Sequence, residues 1–314
     1  MDKLFEEYYQ NYSLQDPNQP LSNTGMLNKP SKPPNLSLAY ELEFNEYVNS
    51  RDFQHNFTSE RTKNYVLTGI PYSHKQLFYV KVLKDVSAPD ITIKVENAEQ
   101  ILKDINRAFP HTHFLNTKSG LFLLFDVALK SSNSYSQPLI KPLAYLVLST
   151  GRLAYSLGPK FAFKYSVFTH PAESKLYQFQ TLELLQQLDL ELAEAFDYAN
   201  FLMPWLVSCL HNCLEFEPWE RFFDCFLYFG MDFLVAGACA LVLEAGKGER
   251  FSVRGEDEEQ RMDRFEALPD AQKQKMSIIG VPECYAFEKL KNAGRGVEIG
   301  QFLQDCHAVM LHMK

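Results

Sequence analysis

Apolar residues recur at steps of three and four along most of this chain, the spacing that gives a helix one buried face. The clearest case is residues 96–109, where Ala98, Ile101, Leu102, Ile105, Ala108 and Phe109 fall on one stripe. The spacing predicts an amphipathic helix there, stopped by Pro110, because a residue before proline avoids the α region. Residues 121–130 (LFLLFDVALK) are apolar nearly all round and predict a buried helix. Pro138 suits the first turn of a helix running through Leu143 and Leu148, and Gly151 suits its stop. Leu182, Leu185, Leu188, Leu192, Phe196, Leu202, Leu206 and Leu210 continue at helical steps. Residues 219–244 predict a long apolar helical pair broken near Gly230, and Ile299, Phe302, Leu303, Cys306, Val309 and Met310 mark a last helix. Residues 74–84 (HKQLFYVKVLK) carry strand propensity but read as helix in this setting. The pattern predicts an all-α, multi-helix protein.

The N-terminal part reads differently. Asp16-Pro17-Asn18-Gln19-Pro20 and Lys29-Pro30-Ser31-Lys32-Pro33-Pro34 are rich in breakers and lack a sustained apolar period. Residues 1–60 are expected to be an extension or linker, partly disordered, docked through Leu36, Tyr40 and Phe44. Residues 61–314 are expected to form the helical domain, with subdomains near 61–165 and 166–314. Residues 245–265 are charged and glycine-bearing and read as an exposed loop.

Composition narrows the function classes. At 314 residues and 46% hydrophobic, the chain can fill one large core or two smaller ones. Its formal charge of −8, with Lys and Arg scattered, disfavours a nucleic-acid partner. No apolar run approaches the roughly 20 residues that span a bilayer, and Met1-Asp2-Lys3-Leu4-Phe5-Glu6-Glu7 does not read as a secretory signal. A cytoplasmic location is expected, with peripheral attachment to endomembranes through a partner. Six cysteines are too dilute for a disulfide scaffold. Cys209, Cys213 and Cys225 lie in apolar stretches read as helical, and His211 would point away from the face shared by Cys209 and Cys213, so no metal is expected. Gly246-Lys247-Gly248 and Gly294-Arg295-Gly296 are too short for a phosphate loop.

On the helix at 96–109, Arg107 lies opposite the centre of the apolar stripe and Asp104 on the neighbouring flank, three residues earlier. Spacing alone describes an exposed Asp–Arg pair, worth ~0.2–0.5 kcal/mol as an ordinary surface pair. His111 and His113, close by in sequence, read as exposed or helix-terminal.

Ile101-Leu102-Lys103-Asp104-Ile105-Asn106-Arg107 resembles the I-x-x-D-x-x-R motif of TBC-domain GTPase-activating proteins for Rab GTPases. Tyr135-Ser136-Gln137 resembles the Y-x-Q motif that follows it in that family. Gly69-Ile70-Pro71 resembles the segment that opens the domain, and Leu188-Asp189-Leu190 with Met203-Pro204-Trp205-Leu206 the helices before a family tryptophan. Trp219-Glu220-Arg221-Phe222-Phe223-Asp224, Gly230 and Phe233-Leu234 resemble the W-D-x-x-F-x-x-G region in loosened form. The match spans about residues 62–245.

The resemblance implies a helical domain that accelerates GTP hydrolysis by a Rab-like small GTPase in vesicle trafficking. Arg107 would enter the partner's nucleotide pocket, and Gln137 would stand in for the GTPase's own glutamine. Asp104 would hold the guanidinium, and Tyr135 would pack behind Gln137. No cofactor of the chain's own is implied, since GTP and Mg²⁺ belong to the partner. Three positions depart from the family pattern: Pro138 stands where it has glycine, and Lys75 and Phe78 stand for an arginine and a tryptophan. These departures frame the alternative, a TBC-like scaffold that binds a GTPase or another protein without activating it.

Overall fold

Ala98, Ile101, Leu102 and Ile105 are all buried, on a helix that runs Val95–Ile105. The computed structural model describes residues 5–6, 37–88, 95–105, 108, 112, 114–131, 135–165, 170–251 and 258–313. Among these the chain is all-α, without a named strand; an isolated bridge joins Glu249 to Met276. It divides into two compact units, Met1–Pro171 and Ala172–Lys314.

The first unit opens with three short helices, α1 (Leu38–Val48), α2 (Arg51–His55) and α3 (Glu60–Thr68). Each starts where a serine hydroxyl accepts a first-turn N–H: Ser37 from Tyr40 at 3.2 Å, Ser50 from Phe53 at 3.3 Å and Ser59 from Thr62 at 3.2 Å. Such caps are worth about 1 kcal/mol apiece and help short helices persist. Phe44, Tyr47, Val48 and Phe53 are buried, and Tyr47 stacks on Tyr65 with centroids 4.5 Å apart. The packed unit therefore begins well before residue 61, and residues 38–55 belong to the fold rather than to a linker. Ring-on-ring burial does this, and it leaves no helical period to read. Phe5 is also buried, 5.1 Å from Phe122 between ring centroids. Tyr40 donates its phenol to Gly69 O at 2.9 Å; Leu36 lies outside the described residues.

Five further helices complete this unit: α4 (Tyr72–Leu83), α5 (Val95–Ile105), α6 (Lys118–Leu129), α7 (Ile140–Thr150) and α8 (Ala154–Lys164). Helix α7 is the hub, packed against α4, α5, α6 and α8. Apart from Lys141 and Leu148, every residue of α7 is buried. Gly151 ends it at φ +56°, a left-handed stop that a side-chain-bearing residue rarely adopts. Helix α4 grips α7 through two polar contacts: the Lys75 ammonium donates to the Tyr145 hydroxyl, and Tyr72 donates to Leu148 O at 2.9 Å.

The second unit holds α9 (Pro171–Leu188), α10 (Leu190–Glu194), α11 (Ala199–Val207), α12 (Phe216–Phe229), α13 (Met231–Gly246), α14 (Glu258–Glu266), α15 (Asp270–Lys273), α16 (Glu283–Lys291) and α17 (Ile299–Leu311). Its centre is α13, packed against α11, α12, α16 and most extensively α17. Two sequence expectations change here. Residues 258–266 are helical rather than loop, and residues 252–257 lie outside the described set. Cys209 and Leu210 are not helical either: both adopt left-handed backbone, φ +52° and +58°, in a buried corner between α11 and α12. The Trp219 indole N–H donates to Cys209 O at 2.8 Å and fixes that corner.

Among the described residues no helix is long and apolar enough to cross a membrane. No group of three or more His, Cys, Asp or Glu among them is placed to hold a metal ion.

Gly237, in the middle of α13, tests how tightly this core is filled. A Cβ there would meet the Phe222 ring at 2.5 Å and a Leu210 methyl at 3.0 Å. Gly→Ala gains about 1 kcal/mol of helix propensity, whereas overpacking costs about 1–3 kcal/mol. Gly237→Ala is expected to lower stability by about 1 kcal/mol on this balance, read as a lower urea midpoint at unchanged m-value.

Candidate functional site

The two segments that carry the motifs lie against one another. Helix α5, which ends the I-x-x-D stretch, packs on a single 3-10 turn, Gln137–Leu139, that leads into α7. Asp104 and Tyr135 make the link between them: the phenol donates to Asp104 Oδ2 at 3.4 Å, a long contact. The Gln100 amide, one turn back on α5, donates to the same oxygen at 2.9 Å.

Asp104 is only 1% exposed. It therefore does not lie on an exposed face, where the helical wheel puts it. Its carboxylate faces inward, where taking an ion out of water costs several kcal/mol. Hydrogen bonds to a charged acceptor, at about 1.5–3 kcal/mol each, offset part of that cost. The expected helix does not reach residue 109 unbroken: the described helix is Val95–Ile105, and Ala108 sits in a bend, its N–H donated to Ile105 O at 3.2 Å. Arg107 lies outside the described residues, as do Phe109, Pro110, His111 and His113.

Gln137 is exposed, at the first position of the turn. Tyr135, two residues before it, is part-buried. Burial first, and the Asp104 charge second, push its phenol far above the ordinary range, so the hydroxyl keeps the proton it offers to Asp104. One turn beyond Gln137 stands Lys141, half-buried at the start of α7, where burial lowers its ammonium to about 8.

Two residues escape the sequence reading: Gln100, which donates to Asp104, and Lys141, a part-buried cation four residues after Gln137. Gln100 had a signal, since i and i+4 share a helix face and an amide there can reach Asp104. Lys141 had one too, as the cation inside an otherwise apolar run. A groove of the second unit, about 690 Å³ and lined by Glu244, Phe265, Tyr285 and Lys289 among others, contains none of the predicted site residues.

The remaining landmarks serve the core. Lys75 and Phe78, at the positions of the expected arginine and tryptophan, are both buried, and Lys75 also stands 5.2 Å above the Tyr145 ring. Asp189 caps α10 by accepting Leu192 N–H at 3.0 Å. Trp219 and Asp224 are buried. Burial raises the thiols of Cys209 and Cys213, which suits small apolar core residues rather than nucleophiles. No protein-family model matches this chain, and no curated protein matches it.

The buried ammonium has a consequence for stability. A lysine whose folded pKa is about 8, against an ordinary 10.5, holds its proton more weakly when folded. The penalty is present in full below pH 8 and fades as pH rises toward 10.5, because the unfolded chain then binds more protons. Relative to Lys141→Met, the wild type is expected to gain up to about 3 kcal/mol across that window. Denaturant unfolding of both proteins at pH 7, 8.5 and 10 measures it; parallel curves would refute it.

Proposed function

We propose that this chain is a TBC-type GTPase-activating protein acting on a Rab-like small GTPase. The observation that carries the reading is the contact of α5 with the turn bearing Gln137, joined by the Tyr135 phenol and the Asp104 carboxylate. It draws together two motifs that stand thirty positions apart and leaves Gln137 facing solvent. A glutamine that must reach into another protein has to be exposed, and its supports have to be fixed. Both conditions hold for Gln137.

In this reading the chemistry takes place on the partner. A water oxygen attacks the γ-phosphorus of the partner's GTP, the bond to the β–γ bridging oxygen breaks, and GDP and phosphate leave. The side-chain amide of Gln137 orients the water. The guanidinium of Arg107, three residues after Asp104 in sequence, neutralises charge growing on the transferred phosphoryl group, an effect worth ~10³–10⁵ in rate. Asp104 acts from inside, holding the end of α5 and the Tyr135 segment together. Positioning and electrostatics supply the catalysis, and the activator needs no nucleophile. Attachment to endomembranes would come through the GTPase.

The test is GTP hydrolysis by a panel of Rab proteins with wild-type chain, Arg107→Ala and Gln137→Ala. Wild type is expected to accelerate at least one of them, and Arg107→Ala to lose about 10³-fold or more of that acceleration with helical content unchanged. Binding of a GTPase without acceleration would make the chain a TBC-like scaffold instead, a reading that the departures at Pro138, Lys75 and Phe78 favour. Neither binding nor acceleration would remove both.

A further inference from the structure

The turn that presents Gln137 is held from both sides. Upstream, Tyr135 is tied to Asp104. Downstream, Leu139 and Ile140 are buried, Leu139 N–H closes the turn on Ser136 O at 3.0 Å, and Ile140 N–H returns to Gln137 O. Pro138 lies between, half-buried, as the second residue of the turn. Its ring fixes its own φ near −65°. That value lies in the range a 3-10 turn requires. The N–H that proline lacks costs nothing here, because first-turn amides have no partner within the helix.

We infer that Pro138 is a positioning residue, locking the turn so that the exposed Gln137 amide is delivered from a preset backbone. The inference rests on the proposed activating function. Ordering a glutamine costs up to about 2 kcal/mol in side-chain freedom alone, and a loose backbone would add to that at each encounter with a GTPase. A locked turn meets the backbone part once, on folding, and leaves only the side chain to be ordered in the complex.

The experiment uses the full chain with Pro138→Ala and Pro138→Gly, alone and combined with Gln137→Ala. The kcat for activated hydrolysis is expected to fall in the order Pro, Ala, Gly, by about fivefold at glycine, with KM for the GTPase nearly unchanged. In the Gln137→Ala background, Pro138→Gly should have no further effect, because a positioning residue has nothing left to position. Equal losses in both backgrounds would overturn the inference and make Pro138 merely structural. Amide hydrogen exchange at Leu139 and Ile140 needs no GTPase: it should quicken several-fold in Pro138→Gly, and unchanged exchange would show that the turn is not locked by proline. A wild-type chain that accelerates no GTPase ends the functional reading and the catalytic half of this inference, while the exchange still decides whether the turn is locked.

Discussion

A helix buried on nearly every side can meet solvent only at its ends. That constraint on α7 organises the first unit. Four helices cover it, so its side chains are packing material, and such an interior tolerates little change of volume. The polar groups that remain must be satisfied internally, which the Lys75–Tyr145 contact does. The end that emerges bears Gln137, and it emerges beside α5. The exposed amide is thus mounted on the most thoroughly packed helix of its unit.

The second link is electrostatic. Asp104 places a carboxylate inside the protein, and its placement is stable only while donors converge on it. Gln100 comes from the same helix, whereas Tyr135 comes from a segment 31 residues away. Removing the charge would release both donors and with them the tie between α5 and the turn. The half-buried Lys141 sits close to this arrangement in sequence, so the candidate site carries groups of both signs that burial disfavours.

What could be read from residue order follows from the range of the forces involved. The stripe Ala98–Ile101–Leu102–Ile105, the break at Gly230 and the stop at Gly151 are local and periodic, and each is found where spacing puts it. The docking of Phe5 and the packing of Tyr47 on Tyr65 depend on partners distant in sequence, and no period announces them. Asp104 illustrates the same limit at the site: a helical wheel places it on a flank, and only Tyr135 and the turn against α5 turn that flank into interior. The motif positions are legible as a set, whereas the role of Gln100 as a donor to Asp104 depends on Asp104 being interior. The corner at Cys209–Leu210 was hidden for another reason. Neither glycine nor asparagine marks it, so an apolar run reads straight through a reversal.

That corner constrains how the second unit can assemble. Two successive side-chain-bearing residues in left-handed conformation cost roughly 1–2 kcal/mol each, which the contacts around them must offset. They are held by backbone bonds to α11, Leu210 N–H to Trp205 O at 2.8 Å and Cys209 N–H to Leu206 O at 3.1 Å, and by an indole that arrives from ten residues further along. The bend after α11 thus shares one of its ties with α12, and a shift of α12 that draws the indole away removes a bond from the far side of the bend.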